Sequence, residues 1–250
     1  MGLPNKLFPL QLALIIVLSV ATLSNAAPLR TYSTGFESVS DFAGFYIVPQ
    51  DSKPTASHEQ SREVVRSGSF SHKGWITGAN PPSSFFVNNN HRGYPTIQLY
   101  KTPGGAFQTP VKIDFWVWLD MDLKPGEWFS FATLDHTTKN TWDPVLVNLN
   151  DKGFVELMHV PTNGQGRRDF QTTSVPFPMR RWVKLSIELH FDKNNGYAKV
   201  WQNGTLVSSA QVRTGNGLLT QAHFGLYAPP SMTSGVVYND DLTIRELGAN

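Results

Sequence analysis

The chemistry open to this chain is bounded first by which reactive side chains it has and how they are spaced. It has no cysteine, so thiolate catalysis, thiolate metal ligands and disulfides are all excluded. Retaining glycoside hydrolysis needs two carboxylates about 5 Å apart. Here Asp120-Met121-Asp122 lacks flanking glutamates, and Glu188 stands alone. Arg92, Tyr94, Thr96 and Gln98 alternate, so in a strand they would present one cation and several hydrogen-bonding groups on one face, a set suited to gripping a carboxylate. Pro95 confines such a strand to an edge or a bulge. Trp116 and Trp118 also alternate, and exposed indole faces stack on the apolar faces of sugar rings. Seven histidines and seven tyrosines supply candidate proton carriers.

The elements that must hold these residues read as strands. Val111, Ile113, Phe115, Val117 and Leu119 alternate with Lys112, Asp114, Trp116, Trp118 and Asp120, which predicts a strand with one face in a core and one face free. Similar runs are predicted at Trp128 to Leu134, Pro144 to Asn150, Phe154 to Val160, Trp182 to Phe191, Tyr197 to Gln202, His223 to Tyr227 and Val236 to Ile244. Turn chemistry separates them, as at Asp151-Lys152-Gly153, Lys193-Asn194-Asn195-Gly196 and Asn203-Gly204. Many short strands without helices between them predict an all-β, two-sheet antiparallel β-sandwich. Asn203-Gly204-Thr205 is also a glycosylation sequon, placed where a tight hairpin is expected.

Residues 1–27 read as a secretory signal peptide. Lys6 precedes an apolar run from Leu7 to Val20, and Ser24-Asn25-Ala26-Ala27 offers small residues for cleavage. Residues 28–250 are then expected to form one β-sandwich domain, secreted to the extracellular space or a periplasm, with no membrane contact after signal removal. The formal net charge of +2 has no dense Lys/Arg tract behind it, so a nucleic-acid partner is not expected. Arg167-Arg168 and Arg180-Arg181 read as solvated loop pairs. The oligomeric state is not readable.

Three segments carry a family resemblance. Gly35-Phe36-Glu37, then Trp182-Val183-Lys184-Leu185 leading to Val200-Trp201-Gln202-Asn203-Gly204, then Tyr238-Asn239-Asp240-Asp241-Leu242-Thr243-Ile244 are similar to the first and last strands of the concanavalin A-like superfamily. That superfamily includes laminin G modules, legume-type lectins and several polysaccharide lyases. The resemblance spans nearly all of the chain after residue 27 and implies a jelly roll; it says less about activity. Within it, the chain looks most like the alginate, glucuronan and heparin lyase type. Alginate lyases of this fold carry an Arg-Thr/Ser-Glu-Leu-Arg strand, a Gln-x-His strand and a Tyr-Phe-Lys-Ala-Gly-x-Tyr strand. His223-Phe224-Gly225-Leu226-Tyr227 keeps the Gly-x-Tyr of the last, with His for Lys and Phe for Ala. Arg92 to Gln98 approximates the first but lacks its glutamate. No Gln-x-His occurs, and Asn148 and His159 are the nearest stand-ins.

The resemblance implies a polysaccharide partner and, for an acidic chain, β-elimination. A uronate lyase must neutralise the carboxylate, remove the C5 proton and protonate the leaving oxygen at C4. Tyr227 would be the acid, or acid and base together; His159 or His72 would be the alternative base. Arg92, Gln98 and Asn148 would hold the carboxylate, and Tyr94, Trp116, Trp118 and His223 would line the binding surface. Tyr227 and Arg92 are expected on one concave sheet face. A lectin-like or laminin G-like binding module without catalysis is the alternative. A glycoside hydrolase ranks below both, because the Glu-x-Asp-x-x-Glu strand of laminarinase-like members is missing. Catalysis by elimination calls for no cofactor. The resemblance does imply a structural calcium ion between the first and last strands, on Glu37 and Asp241, with Asp240 as a lesser partner.

Overall fold

The computed structural model describes residues 28–38, 45–47, 55–79, 90–97, 99–101, 104–137, 142–161 and 168–248. Residues 1–27, expected from the sequence to be a signal peptide, lie outside the described residues, as do Gln98 and Arg167. The strands are, in chain order, β1 (Thr31–Thr34), β2 (Phe45–Ile47), β3 (Ala56–Ser61), β4 (Ser71–Ile76), β5 (His91–Gly93), β6 (Pro95–Ile97), β7 (Phe107–Gln108), β8 (Val111–Asp120) and β9 (Phe129–Asp135). They continue as β10 (Val145–Leu149), β11 (Val155–His159), β12 (Arg168–Phe170), β13 (Val183–His190), β14 (Tyr197–Gln202), β15 (Thr205–Gln211), β16 (Leu218–Leu219), β17 (Gln221–Ala228) and β18 (Gly235–Glu246).

Two antiparallel sheets carry nearly all of them. The first runs β15-β14-β13-β8-β18-β4-β3, with β1 also on β18; the second runs β12-β11-β10-β9-β17-β6-β2, with β5 also on β17. Neither closes into a barrel, so the described residues form the expected β-sandwich. The alternation in β8 is realised in full: Val111, Ile113, Phe115, Val117 and Leu119 are at most 1% exposed, while the residues between them are half-buried. Val183, Leu185, Ile187 and Leu189 of β13 line up opposite β8 on the same inner face. Phe115 of the first sheet meets Phe224 of the second edge-on, with ring centroids 5.1 Å apart, so the core is one layer shared by both sheets. Removing such a ring costs about 3–5 kcal/mol through lost transfer energy and the cavity left behind.

Turn chemistry behaves as the sequence predicts. Asn203 and Gly204 both adopt positive φ, 48° and 86°, between paired Gln202 and Thr205, the geometry that a two-residue hairpin needs to match strand twist. One departure matters for function. The register of β9 slips against both neighbours, so Phe129, Phe131 and Ala132 are all buried, leaving Ser130 and Thr133, three apart, opposite β17's Tyr227 and His223, four apart.

Candidate functional site

The slipped register lays two rows of side chains across the outer face of the second sheet. One row is Arg92–Tyr227–Ser130–Asn148–Glu156; the next is His223–Thr133–Leu146–Met158. Tyr94, between β5 and β6, fills the gap between the rows. Its ring stacks on His223 with centroids 4.7 Å apart and meets Tyr227 edge-on at 5.9 Å. Trp128 closes on Tyr227 at 5.1 Å, and Trp142, 42% exposed, closes on His223 at 5.8 Å. The result is an aromatic cleft around one cation and one imidazole.

Polar contacts set the cleft's electrostatics. The Arg92 guanidinium lies 5.5 Å from the Tyr227 ring centroid and donates to the Asn90 carbonyl at 3.2 Å. Asn90 Nδ2 donates to the Tyr227 phenol oxygen at 2.9 Å. Burial and the nearby Arg92 charge lower the His223 pKa to about 3, so its imidazole is neutral at any ordinary pH. Burial pushes the Tyr94 phenol well up, which keeps it uncharged. Asn148 is fully buried, and its Oδ1 has no hydrogen-bond partner among the described residues. An orphaned buried acceptor of this kind calls for a donor.

Gly225 shapes the strand that carries both His223 and Tyr227. Its φ is 125°, and a Cβ there would come within 2.7 Å of His72 Cε1 and 3.0 Å of Tyr94 Cβ. Only glycine fits that conformation and that space without strain.

The structure therefore brings together Tyr227, Arg92, Tyr94 and His223, and places Asn148 two strands further along the same row, beyond Ser130. Gln98 lies outside the described residues, and of the other predicted residues His72, His159, Trp116 and Trp118 are not brought to them. His72 is fully buried between the sheets, 5.7 Å from Phe36 and with Nε2 3.3 Å from His58 Nδ1. No substrate on the outer face can reach it, so the alternative base assigned to it is corrected. His159 shares the inward face of β11 with Val155 and Leu157 and emerges at the sandwich rim. There it contacts Asp143 at 2.7 Å, and Asp143 also accepts from the Thr214 hydroxyl at 2.6 Å. This rim pocket, about 470 Å³ and lined also by Arg168 and Arg213, is a separate place from the cleft. Trp116 and Trp118 do face away from the core, but on the first sheet, across the sandwich from Tyr227. Trp116 lies under the Arg66 guanidinium at 4.3 Å, and Trp118 packs edge-on to Tyr238.

Sequence reasoning missed Asn90, Trp128 and Trp142 as cleft residues. It placed His223 among binding residues; the geometry stacks it on Tyr94, whose ring separates it from Tyr227. The one available signal was the four-residue spacing of His223 and Tyr227 on a single strand.

Glu37, Asp240 and Asp241 each accept hydrogen bonds from the turn Arg66–Phe70. Glu37 accepts from the Ser69 and Phe70 amides, Asp240 from the Arg66 and Ser67 amides, and Asp241 from the Ser67 hydroxyl at 2.7 Å. Burial, with Asp241 alongside, raises the Asp240 pKa to about 6. The donor set is all oxygen, which suits a hard cation. Among the described residues, no three His, Cys, Asp or Glu are grouped so as to hold a metal ion, so backbone carbonyls or water would have to complete any such shell.

The architecture is that of a jelly roll shared with polysaccharide lyases. No family model matches the sequence, and no curated protein matches it. Among solved structures the chain is similar to an endo-β-1,4-glucuronan lyase from the fungus Trichoderma reesei, at 14% identity and TM-score 0.59 over 78% of this chain and 89% of that one. It is also similar to the cellulose-induced protein Cip1, at 16% identity and TM-score 0.63 over 88% of this chain and 100% of that one. A third is the alginate lyase Aly36B bound to an alginate trisaccharide, at 16% identity and TM-score 0.50 over 90% and 96%. At these identities the likeness establishes fold alone.

Proposed function

We propose that this protein acts on carbohydrate and cleaves an acidic, uronate-containing polysaccharide by β-elimination in the Tyr227 cleft. The observation that carries the proposal is the convergence of Arg92, His223 and Tyr227 on one aromatic-walled sheet face. The fold likeness to lyases named for glucuronan and alginate supports it.

In this mechanism Arg92 pairs with the substrate carboxylate, which draws charge from C5 and acidifies its proton. His223 takes that proton. The electron pair of the C5–H bond becomes the C4=C5 double bond, the C4–O bond breaks, and the Tyr227 hydroxyl protonates the departing oxygen. Neutral His223 is a weak base while Arg92 faces it unpaired. Once the substrate carboxylate neutralises Arg92, one cause of the low pKa is removed and the imidazole becomes more basic when it is needed. Trp128 and Trp142 flank the reacting unit with surfaces on which neighbouring sugars stack.

Secretion directed by residues 1–27 belongs to the same proposal, as does a structural calcium ion on Glu37 and Asp241. No helix among the described residues is long and apolar enough to cross a membrane. The deciding experiment is incubation with glucuronan, alginate and heparin while following the ultraviolet absorbance of the unsaturated product. Saturable binding of a uronate chain with no absorbance change would overturn elimination and leave a binding module.

A further inference from the structure

We propose that the outer face of the first sheet carries a second carbohydrate site, independent of the Tyr227 cleft, that takes a neutral hexose polysaccharide. It is a pocket of about 510 Å³ formed around Trp75, Tyr238, Glu63, Lys73, Asp120 and Arg180. That volume falls within the roughly 300–1,000 Å³ of small-molecule sites.

Five aromatic side chains on this face have a cation near the ring, Lys73 serving both Trp75 and, at 6.0 Å, Tyr238, but not all are equally close. Arg66 covers Trp116 at 4.3 Å and Lys112 covers Trp201 at 4.0 Å, which leaves those rings to packing. Over Tyr197, Lys199 lies at 4.8 Å. At Trp75 the Lys73 ammonium stands further off, 5.1 Å from the centroid, because Glu63 holds it with both carboxylate oxygens at 2.7 Å. Glu63 also accepts from the Tyr238 hydroxyl at 2.6 Å, so the polar wall of the pocket is a fixed array. On the far side Arg180 is held in a conformation few non-glycine residues adopt, φ 56°, by its amide's bond to the Leu119 carbonyl at 2.8 Å. From there its Nε reaches Asp120 Oδ1 at 2.9 Å.

The chemistry selects the ligand class. A half-buried indole offers a stacking surface, and paired carboxylates and cations offer acceptors and donors for hydroxyl groups. The pocket lining holds three carboxylates, Glu63, Asp120 and Asp122, against two cations, Lys73 and Arg180. The excess negative charge repels a uronate, so this pocket and the cleft sort different polymers.

The test is titration of the intact protein with cellohexaose, laminarihexaose, mannohexaose and a glucuronan hexasaccharide, by calorimetry. At least one neutral chain is expected to bind saturably. Its affinity should fall about tenfold or more in Trp75→Ala, fall less in Arg180→Ala, and stay unchanged in Tyr227→Phe. Arg180 is 72% exposed, so its variant serves if Trp75→Ala does not fold. The proposal is overturned if none of the three neutral chains binds, if both pocket variants bind like wild type, or if the glucuronan hexasaccharide competes for the site.

Discussion

The Tyr94 ring lies on His223 with centroids 4.7 Å apart and 23° between their planes, so the imidazole is held flat within an aromatic stack. That burial, with Arg92, keeps it neutral down to about pH 3. Under the proposed elimination, the acidic limb of kcat/KM is therefore expected well below the ordinary histidine range, and the limb of kcat above that of kcat/KM, since bound substrate masks Arg92. A kcat/KM limb near 6.5 would remove His223 from the base role.

Tyr227→Phe deletes the hydroxyl that receives the Asn90 hydrogen bond and leaves the ring in its contacts with Trp128 and Tyr94. Product formation should fall by about a hundredfold or more, with substrate binding retained. Full activity on a confirmed substrate would show that another group protonates the leaving oxygen.

Arg92→Lys keeps the charge but loses the planar fork that fits a carboxylate. The expected result is a loss in both kcat and 1/KM, larger in Arg92→Ala. An effect confined to thermal stability would make Arg92 a packing residue over Tyr227.

Gly225→Ala places a methyl group 2.7 Å from His72 at a φ of 125°. A destabilisation of about 1–3 kcal/mol or more is expected from backbone strain and crowding together. Chemical denaturation measures it, and an unchanged midpoint would mean that the strand relaxes freely.

Acid should destabilise the fold. The pKa values of His58, His72, His91 and His223 are all lowered, chiefly by burial. The unfolded chain takes up these protons near pH 6.5 while the native state resists, so their contribution is complete above about 6.5 and is lost as pH falls through the folded values. Asp240, raised to about 6, acts in the opposite sense between about 3.8 and 6, and Asp135, also raised by burial, acts with it, but they are two groups against four. Melts at pH 7.5 and pH 5 should show the lower midpoint at pH 5. Adding calcium at pH 7.5 should raise the midpoint and a chelator should lower it; no response to either would remove the ion from Glu37 and Asp241.

Much of this fold could be read from side-chain alternation, because a half-buried strand writes its two faces into odd and even positions. β8 and β13 follow that rule throughout, and Asn203-Gly204 announced its hairpin. The same parity held unused information: His159 shares the inward positions of Val155 and Leu157, and His72 those of Gly74 and Ile76. Parity also sends Trp116 outward without saying from which sheet, which only topology decides. The slip in β9 and the loop-borne Trp128, Trp142 and Asn90 left no periodic trace, since each depends on how distant segments meet.

Seen end to end, the row from Arg92 to Glu156 is a polarity gradient. Four strand spacings separate its basic and acidic termini, about 19 Å at about 4.8 Å per strand. A polyanion lying across the strands is attracted at one end and repelled at the other, so the sheet distinguishes left from right for a polymer whose own repeating charge does not.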